Sequence, residues 1–151
     1  MHPSQLCRGE TWKAVIAHNL TATFHACAVT ARLMVESRAK GVFINFGSVA
    51  AGGNPGQAAY ASAKAAIVGL TRTLAREFAE FGIRVVCIAL GFFDAPSARK
   101  NVPGSRLKTL APSTSQKRLG RVEELASAID FILENEYYNG SVLELDGGLV
   151  L

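Results

Sequence analysis

Gly41-Val-Phe-Ile-Asn-Phe-Gly-Ser48, then Val-Ala-Ala-Gly-Gly-Asn-Pro-Gly56, then Gln-Ala-Ala-Tyr60-Ala-Ser-Ala-Lys64, reads as a buried strand, a glycine-rich loop and the opening of an alanine-rich helix. The apolar run Val42 to Phe46 is too short for a helix and suits a covered strand. Glycines and Pro55 break periodicity between Gly52 and Gly56, marking a loop. From about Gln57 to Phe81 the apolar residues Ile67, Leu70, Leu74, Phe78 and Phe81 recur at three- and four-residue steps, one face of a helix. Gly82 then stops it, as glycine does just past a helix C-terminus. Tyr60 and Lys64 stand four residues apart, so phenol and ammonium share one helix face. A nearby positive charge favours phenolate, which makes a tyrosine a usable proton donor to a carbonyl oxygen or a base toward an alcohol. Ser48 ends the strand upstream, where its hydroxyl can reach the same oxygen.

Outward from this stretch the pattern alternates. Thr11 to about Arg38 predicts a long helix with an apolar stripe of Trp12, Ile16, Leu20, Phe24, Cys27, Ala31 and Met34. Ile83 to Leu90 is apolar throughout except Arg84, as expected of a parallel strand covered on both faces. Val122 to Glu134 predicts a third helix, and Ser141 to Asp146 a last strand after the Asn139-Gly140 turn. Strands alternating with helices of this length imply right-handed parallel crossovers. The predicted class is α/β, a parallel sheet of about three strands with three main helices, in a single domain over residues 1–151. Residues 91–121 show no sustained period. They carry Arg99, Lys100, Arg106, Lys108, Lys117, Arg118 and Arg121 without an acid between Ala95 and Arg121, and read as an irregular basic loop on the substrate side.

These residues together resemble the short-chain dehydrogenase/reductase family. Asn19, in Trp12-Lys-Ala-Val-Ile-Ala-His-Asn19-Leu-Thr, resembles the helix asparagine that helps hold a water in that family's proton relay. Gly41 to Ser48 resembles the strand delivering its catalytic serine, and Phe81 to Gly91 the next strand. Arg118-Leu-Gly-Arg-Val-Glu-Glu124 and Leu145-Asp-Gly-Gly148 are similar to its late helix start and terminal strand. The wording around Gly56-Gln-Ala-Ala-Tyr60 and Glu134 to Gly140 leans toward 3-oxoacyl-carrier-protein reductases and short-chain 3-hydroxyacyl-CoA dehydrogenases. The resemblance implies a partial Rossmann-like sheet, lacking the N-terminal dinucleotide-binding half, and a catalytic set of Asn19, Ser48, Tyr60 and Lys64. It implies NAD or NADP as cofactor, contacted by Tyr60, Lys64 and Gly91, and a small carbonyl or alcohol substrate, with an acyl thioester as one form. It also implies a homo-oligomer, through the first two helices, or association with a longer homologue.

Three positions depart from the family pattern. Ser48 to Tyr60 is one residue short, Leu90-Gly91 stands where Pro-Gly is usual, and Ala95 replaces a threonine that holds the nicotinamide carboxamide. The family's opening strand, glycine-rich turn and helix, whose amides hold the pyrophosphate, have no counterpart here. Gly52-Gly53-Asn-Pro-Gly56 does not fit the G-x-G-x-x-G spacing.

The chain has 151 residues, half of them hydrophobic, which excludes overall disorder and suffices for a core. Cys7, Cys27 and Cys87 are an odd, dispersed set, so no closed disulfide framework forms. With His2, His18 and His25 they make no metal-ligand spacing, and no metal is expected. No apolar run approaches membrane-span length and no signal peptide is seen, so a cytoplasmic, reducing location is expected. Net charge is +4, but the basic loop lacks base-stacking aromatics, which weighs against nucleic acid. Three readings remain: an oxidoreductase of the short-chain type, an inactive truncated form that associates with full-length relatives, and a nucleic-acid binder through the basic loop.

Overall fold

The computed structural model describes residues 9–96 and 104–149. His2, Cys7, Arg99 and Lys100 lie outside the described residues. Helix α1 (Gly9–Ile16) runs through one π-helical turn (Ala17–Thr21) into α2 (Ala22–Glu36), which leads to β1 (Gly41–Ser48). A 3₁₀ turn (Val49–Gly52) precedes α3 (Ala58–Glu77), and a second (Ala79–Phe81) precedes β2 (Ile83–Leu90). Then come α4 (Gly104–Ser113), α5 (Val122–Glu134) and β3 (Val142–Leu145). The strands form one all-parallel sheet in the order β1-β2-β3, with Asn45 opposite Cys87 and Cys87 opposite Val142. The α/β class and parallel crossovers predicted from the sequence are present.

Strand β2 is the centre of the molecule, and its alternation builds both layers. Val85 points to the α3 side, where it packs with Cys27, Leu74 and Ala75, bordered by Phe43, Leu70 and Phe78. Val86 and Ile88 point the other way, onto Ile132 of α5 with Ile44, Leu125, Ile129, Leu143 and Leu145 around them. Arg84, the lone charge in the strand, reaches past the sheet to the end of α5. Its guanidinium donates to the carbonyls of Leu133, Asn135 and Tyr138, at 3.4, 3.2 and 2.9 Å, satisfying oxygens at the helix end and one in the turn beyond it. Gly82 carries the positive φ, +70°, that ends the α3 segment.

Two expectations change. The long first helix is interrupted at Ala17–Thr21, where a π-turn inserts one extra residue and rotates everything after it by about 100°. The apolar stripe therefore loses phase: Cys27 and Ala31 are buried, while Trp12 and Phe24 are 39% and 45% exposed. The segment read as irregular contains α4, so among the described residues there are four helical segments rather than three when α1 and α2 are taken as one rod. Ten residues with a proline inside them, Pro112, signal a helix neither by length nor by period.

Candidate active site

The loop before α3 is shaped by its own hydrogen bonds. The Gly53 amide donates to the Ala50 carbonyl at 3.0 Å, and the Gln57 amide to the Asn54 carbonyl at 3.0 Å. The Asn54 side chain donates to the Gln57 side-chain oxygen at 2.9 Å, and Gly56 takes a φ of +82° that a side chain would resist. The chain thus turns straight into α3, with Tyr60 in its first turn. Ala59 and Ala63 are buried at 5% and 0% exposure, and their small size lets the helix lie close against the end of β1.

Lys64 lies one turn beyond Tyr60. Its ammonium sits 5.6 Å from the centre of the Tyr60 ring and donates to the Phe46 carbonyl at 2.8 Å. Phe46 is two residues before Ser48, so the lysine ties the tyrosine helix to the strand that ends in the serine. The Ser48 hydroxyl accepts from the Ala50 amide at 3.2 Å. That bond uses an oxygen lone pair and leaves the hydroxyl proton for another acceptor. Burial lowers the Lys64 pKa from its ordinary value, an effect opposed by the Cys87 sulfur nearby. Burial in turn raises the Cys87 thiol pKa, against the Gly47 amide bond and the Lys64 charge.

Asn19 sits in the π-turn. Its side-chain amide donates to the Val15 carbonyl at 3.0 Å, and its own carbonyl accepts from the Thr23 hydroxyl at 3.2 Å. Asn19 and Lys64 line one groove of about 360 Å³, together with His18, Thr23, Thr30 and the β1 residues Phe43 to Phe46. Ser48 instead lines a separate recess of about 380 Å³ with Gly52, Gly53, Val68, Glu144 and Asp146. The fold therefore brings Asn19 to the groove of Lys64 and Lys64 to the Tyr60 ring, while Ser48 opens into the other recess. Gly91 has a packing reason of its own. A Cβ there would stand 2.6 Å from the Asp146 Cα, so only glycine lets β2 leave the sheet over the β3 turn.

Reading the sequence overlooked Asn45. It is 5% exposed in the middle of an apolar strand, accepting from the Cys27 thiol at 3.5 Å and donating to the Thr71 hydroxyl at 3.0 Å. Thr71 lies two turns along α3 from Lys64, so this buried chain sets the roll of α3 against β1 and α2. An asparagine inside Val42 to Phe46 was the available signal, since an amide in such a run must find partners. Among the described residues no group of three His, Cys, Asp or Glu side chains is placed to hold a metal, and no helix is long and apolar enough to cross a membrane.

Comparison with known proteins adds a second line. The family profile described as enoyl-(acyl carrier protein) reductase matches residues 3–150. A 3-oxoacyl-(acyl-carrier-protein) reductase of Thermotoga maritima is 38% identical over 145 residues, covering 94% of this chain and 58% of that protein. The crystal structure of a 3-hydroxyacyl-CoA dehydrogenase type-2 from Mycobacterium avium superposes with a TM-score of 0.86 at 33% identity, over 96% of this chain and 58% of that one. A 4-hydroxyisoleucine dehydrogenase mutant complexed with NADH and succinate gives a TM-score of 0.86 at 29% identity, over 97% and 62%. The chain thus spans less than two-thirds of each relative's length.

Proposed function

Because the chain belongs to the short-chain dehydrogenase/reductase family of oxidoreductases, we propose that its Tyr60 face serves NAD(P)-dependent interconversion of a carbonyl and an alcohol. The observation that carries this reading is the contact set of Lys64, which touches the Tyr60 ring and the strand end before Ser48 at once. Tyr60 gives its proton to the substrate oxygen during reduction and takes it back during oxidation. Lys64 stabilises the negative charge that develops on the phenol as the proton leaves. Ser48, with its proton free, donates to the same oxygen and orients the carbonyl. Asn19 holds a water that links the lysine to solvent along their shared groove.

The described residues fit one end of a nicotinamide dinucleotide. Lys64 retains ammonium protons for ribose hydroxyls beyond the one given to Phe46. A bound reduced nicotinamide supplies hydride, and the protein's task is placement. The pyrophosphate end is not matched among the described residues: the Gly53 and Gln57 amides are already bonded within their own loop. The similarity to acyl-carrier-protein and CoA-linked enzymes favours a 3-oxoacyl or 3-hydroxyacyl thioester as substrate.

Fluorescence titration of the purified chain with NADH and NADPH tests the reading. We expect saturable binding that weakens at least tenfold in Lys64→Ala, with the far-ultraviolet circular dichroism unchanged. Absence of any saturable binding overturns it. A second reading has its own observation. Val29 and Leu33 lie one turn apart on α2 and are 61% and 59% exposed, an apolar face suited to another subunit. On that reading the chain is inactive alone and associates, as a homo-oligomer or with longer relatives, through the α1–α2 rod that carries Asn19 and the helix α3 that carries Tyr60.

A further inference from the structure

If Tyr60 moves a proton as proposed, each turnover leaves the Tyr60–Lys64 pair one proton short or one in excess. That proton enters or leaves along the groove of about 360 Å³ that Lys64 lines. Among the described residues lining it, only His18, Cys27 and Lys64 carry a side chain that titrates in water. Cys27 is 3% exposed and donates to the Asn45 side-chain oxygen, and burial pushes its pKa up, so it keeps its proton. His18 is exposed and stands in the π-turn, one residue before Asn19. Its Nδ1 lies 3.1 Å from the Ala14 carbonyl. A carbonyl only accepts, so Nδ1 carries the hydrogen and the neutral ring keeps its lone pair at Nε2. The Asn19 amide makes the same bond one residue on, to the Val15 carbonyl at 3.0 Å, but has no atom that titrates.

We propose that His18 is the proton donor and acceptor at the solvent end of the Lys64 groove, the group that exchanges the proton of Tyr60 and Lys64 with bulk water. It deepens the assignment of Tyr60 and Lys64 above and rests on it. In the reductive direction Tyr60 protonates the substrate oxygen, and the Lys64 ammonium beside its ring makes good the loss, becoming a neutral amine. A water in the groove protonates that amine as the imidazolium Nε2–H protonates the water. The neutral imidazole then regains its proton from solvent. In the oxidative direction each transfer reverses. One proton passes for each substrate molecule, and none of these transfers moves an electron. The groove has room for such waters, since each needs only about 10–15 Å³ of this volume. Burial lowers the Lys64 pKa, which makes its ammonium readier to release a proton. Imidazole suits the exposed end because it gains and loses protons near neutral pH.

Exchange of the Lys64 ammonium protons with water, followed by nitrogen-15 NMR on the purified chain in dilute buffer, tests this without cofactor or turnover. His18→Asn keeps a donor for the Ala14 carbonyl, as Asn19 does for Val15, and removes the nitrogen that accepts the proton. His18 is exposed, so the variant is expected to keep its circular dichroism. We expect the Lys64 protons to exchange at least about fivefold more slowly in the variant, and millimolar imidazole in the buffer to restore the rate. An unchanged rate overturns the proposal. So does a slowed rate that imidazole leaves slow, because the histidine then acts through packing alone. In an assembly that turns over, the variant is expected to lower kcat in dilute buffer but not in imidazole, with KM unchanged; a level kcat overturns the role in turnover. Absence of NADH or NADPH binding counts against the Tyr60 chemistry and leaves the exchange result standing, so the two failures are told apart.

Discussion

Tyr60→Phe removes one oxygen atom and the proton that the proposed chemistry moves. A steady-state assay with a 3-oxoacyl thioester, run on the chain in whichever assembly turns over, is expected to show a loss of about 10²–10⁴-fold in kcat. The melting temperature stays within about 2 °C, because Tyr60 is only half-buried. Asn45 makes the opposite prediction. Asn45→Ala strands the Thr71 hydroxyl, 0% exposed, and the Cys27 thiol, and costs about 1–3 kcal/mol, read as a fall in the denaturant midpoint. It also loosens the roll of α3, so Lys64 loses its hold on Phe46. Tyr60 and Lys64 were legible because helix spacing alone puts residues four apart on one face. Asn45 was not, because its partners come from residues 18 positions before and 26 after it.

Helix α5 shows how an element's start is held. Glu124 accepts from the Arg121 amide at 2.8 Å and receives both guanidinium nitrogens of Arg118, at 2.6 and 2.8 Å. The hydrogen bonds from Arg118 come first among the causes that hold its pKa near 2, well below the ordinary carboxylate value. With the folded-state pKa depressed, the group's contribution to stability is present above the unfolded-state value and disappears as pH falls through the folded one. The window is therefore from about pH 4.5 down to about pH 2. In Glu124→Gln the melting temperature is expected to vary less across that window than in the parent chain, measured by circular dichroism. An equal slope in both chains contradicts this account. The boundaries of α5 and β2 were legible because charge, glycine and an apolar run mark them locally. The π-turn at Asn19 was not, since one inserted residue leaves no compositional trace.

At the scale of the whole molecule, the apolar face of α2 is exposed at Val29 and Leu33. If α2 joins copies, the parent chain is expected to self-associate, and Val29→Glu with Leu33→Glu to return it to monomer by light scattering. A mass unchanged by the pair of charges rules out that face. Sequence by itself determined the α/β class and the strand–loop–helix unit that holds Ser48, Tyr60 and Lys64, because these rest on periodicities and spacings within about twenty residues; the family was legible as a resemblance of motifs spread from Asn19 to Gly148. Only the tertiary structure decided that Lys64 reaches back to Phe46, that Asn45 locks α2 and α3 to one strand, and that Asn19 shares a groove with Lys64 and β1. Those are contacts between elements far apart in the chain. They are settled by which faces must bury apolar surface and which polar groups then need partners, conditions that exist only once the layers have packed.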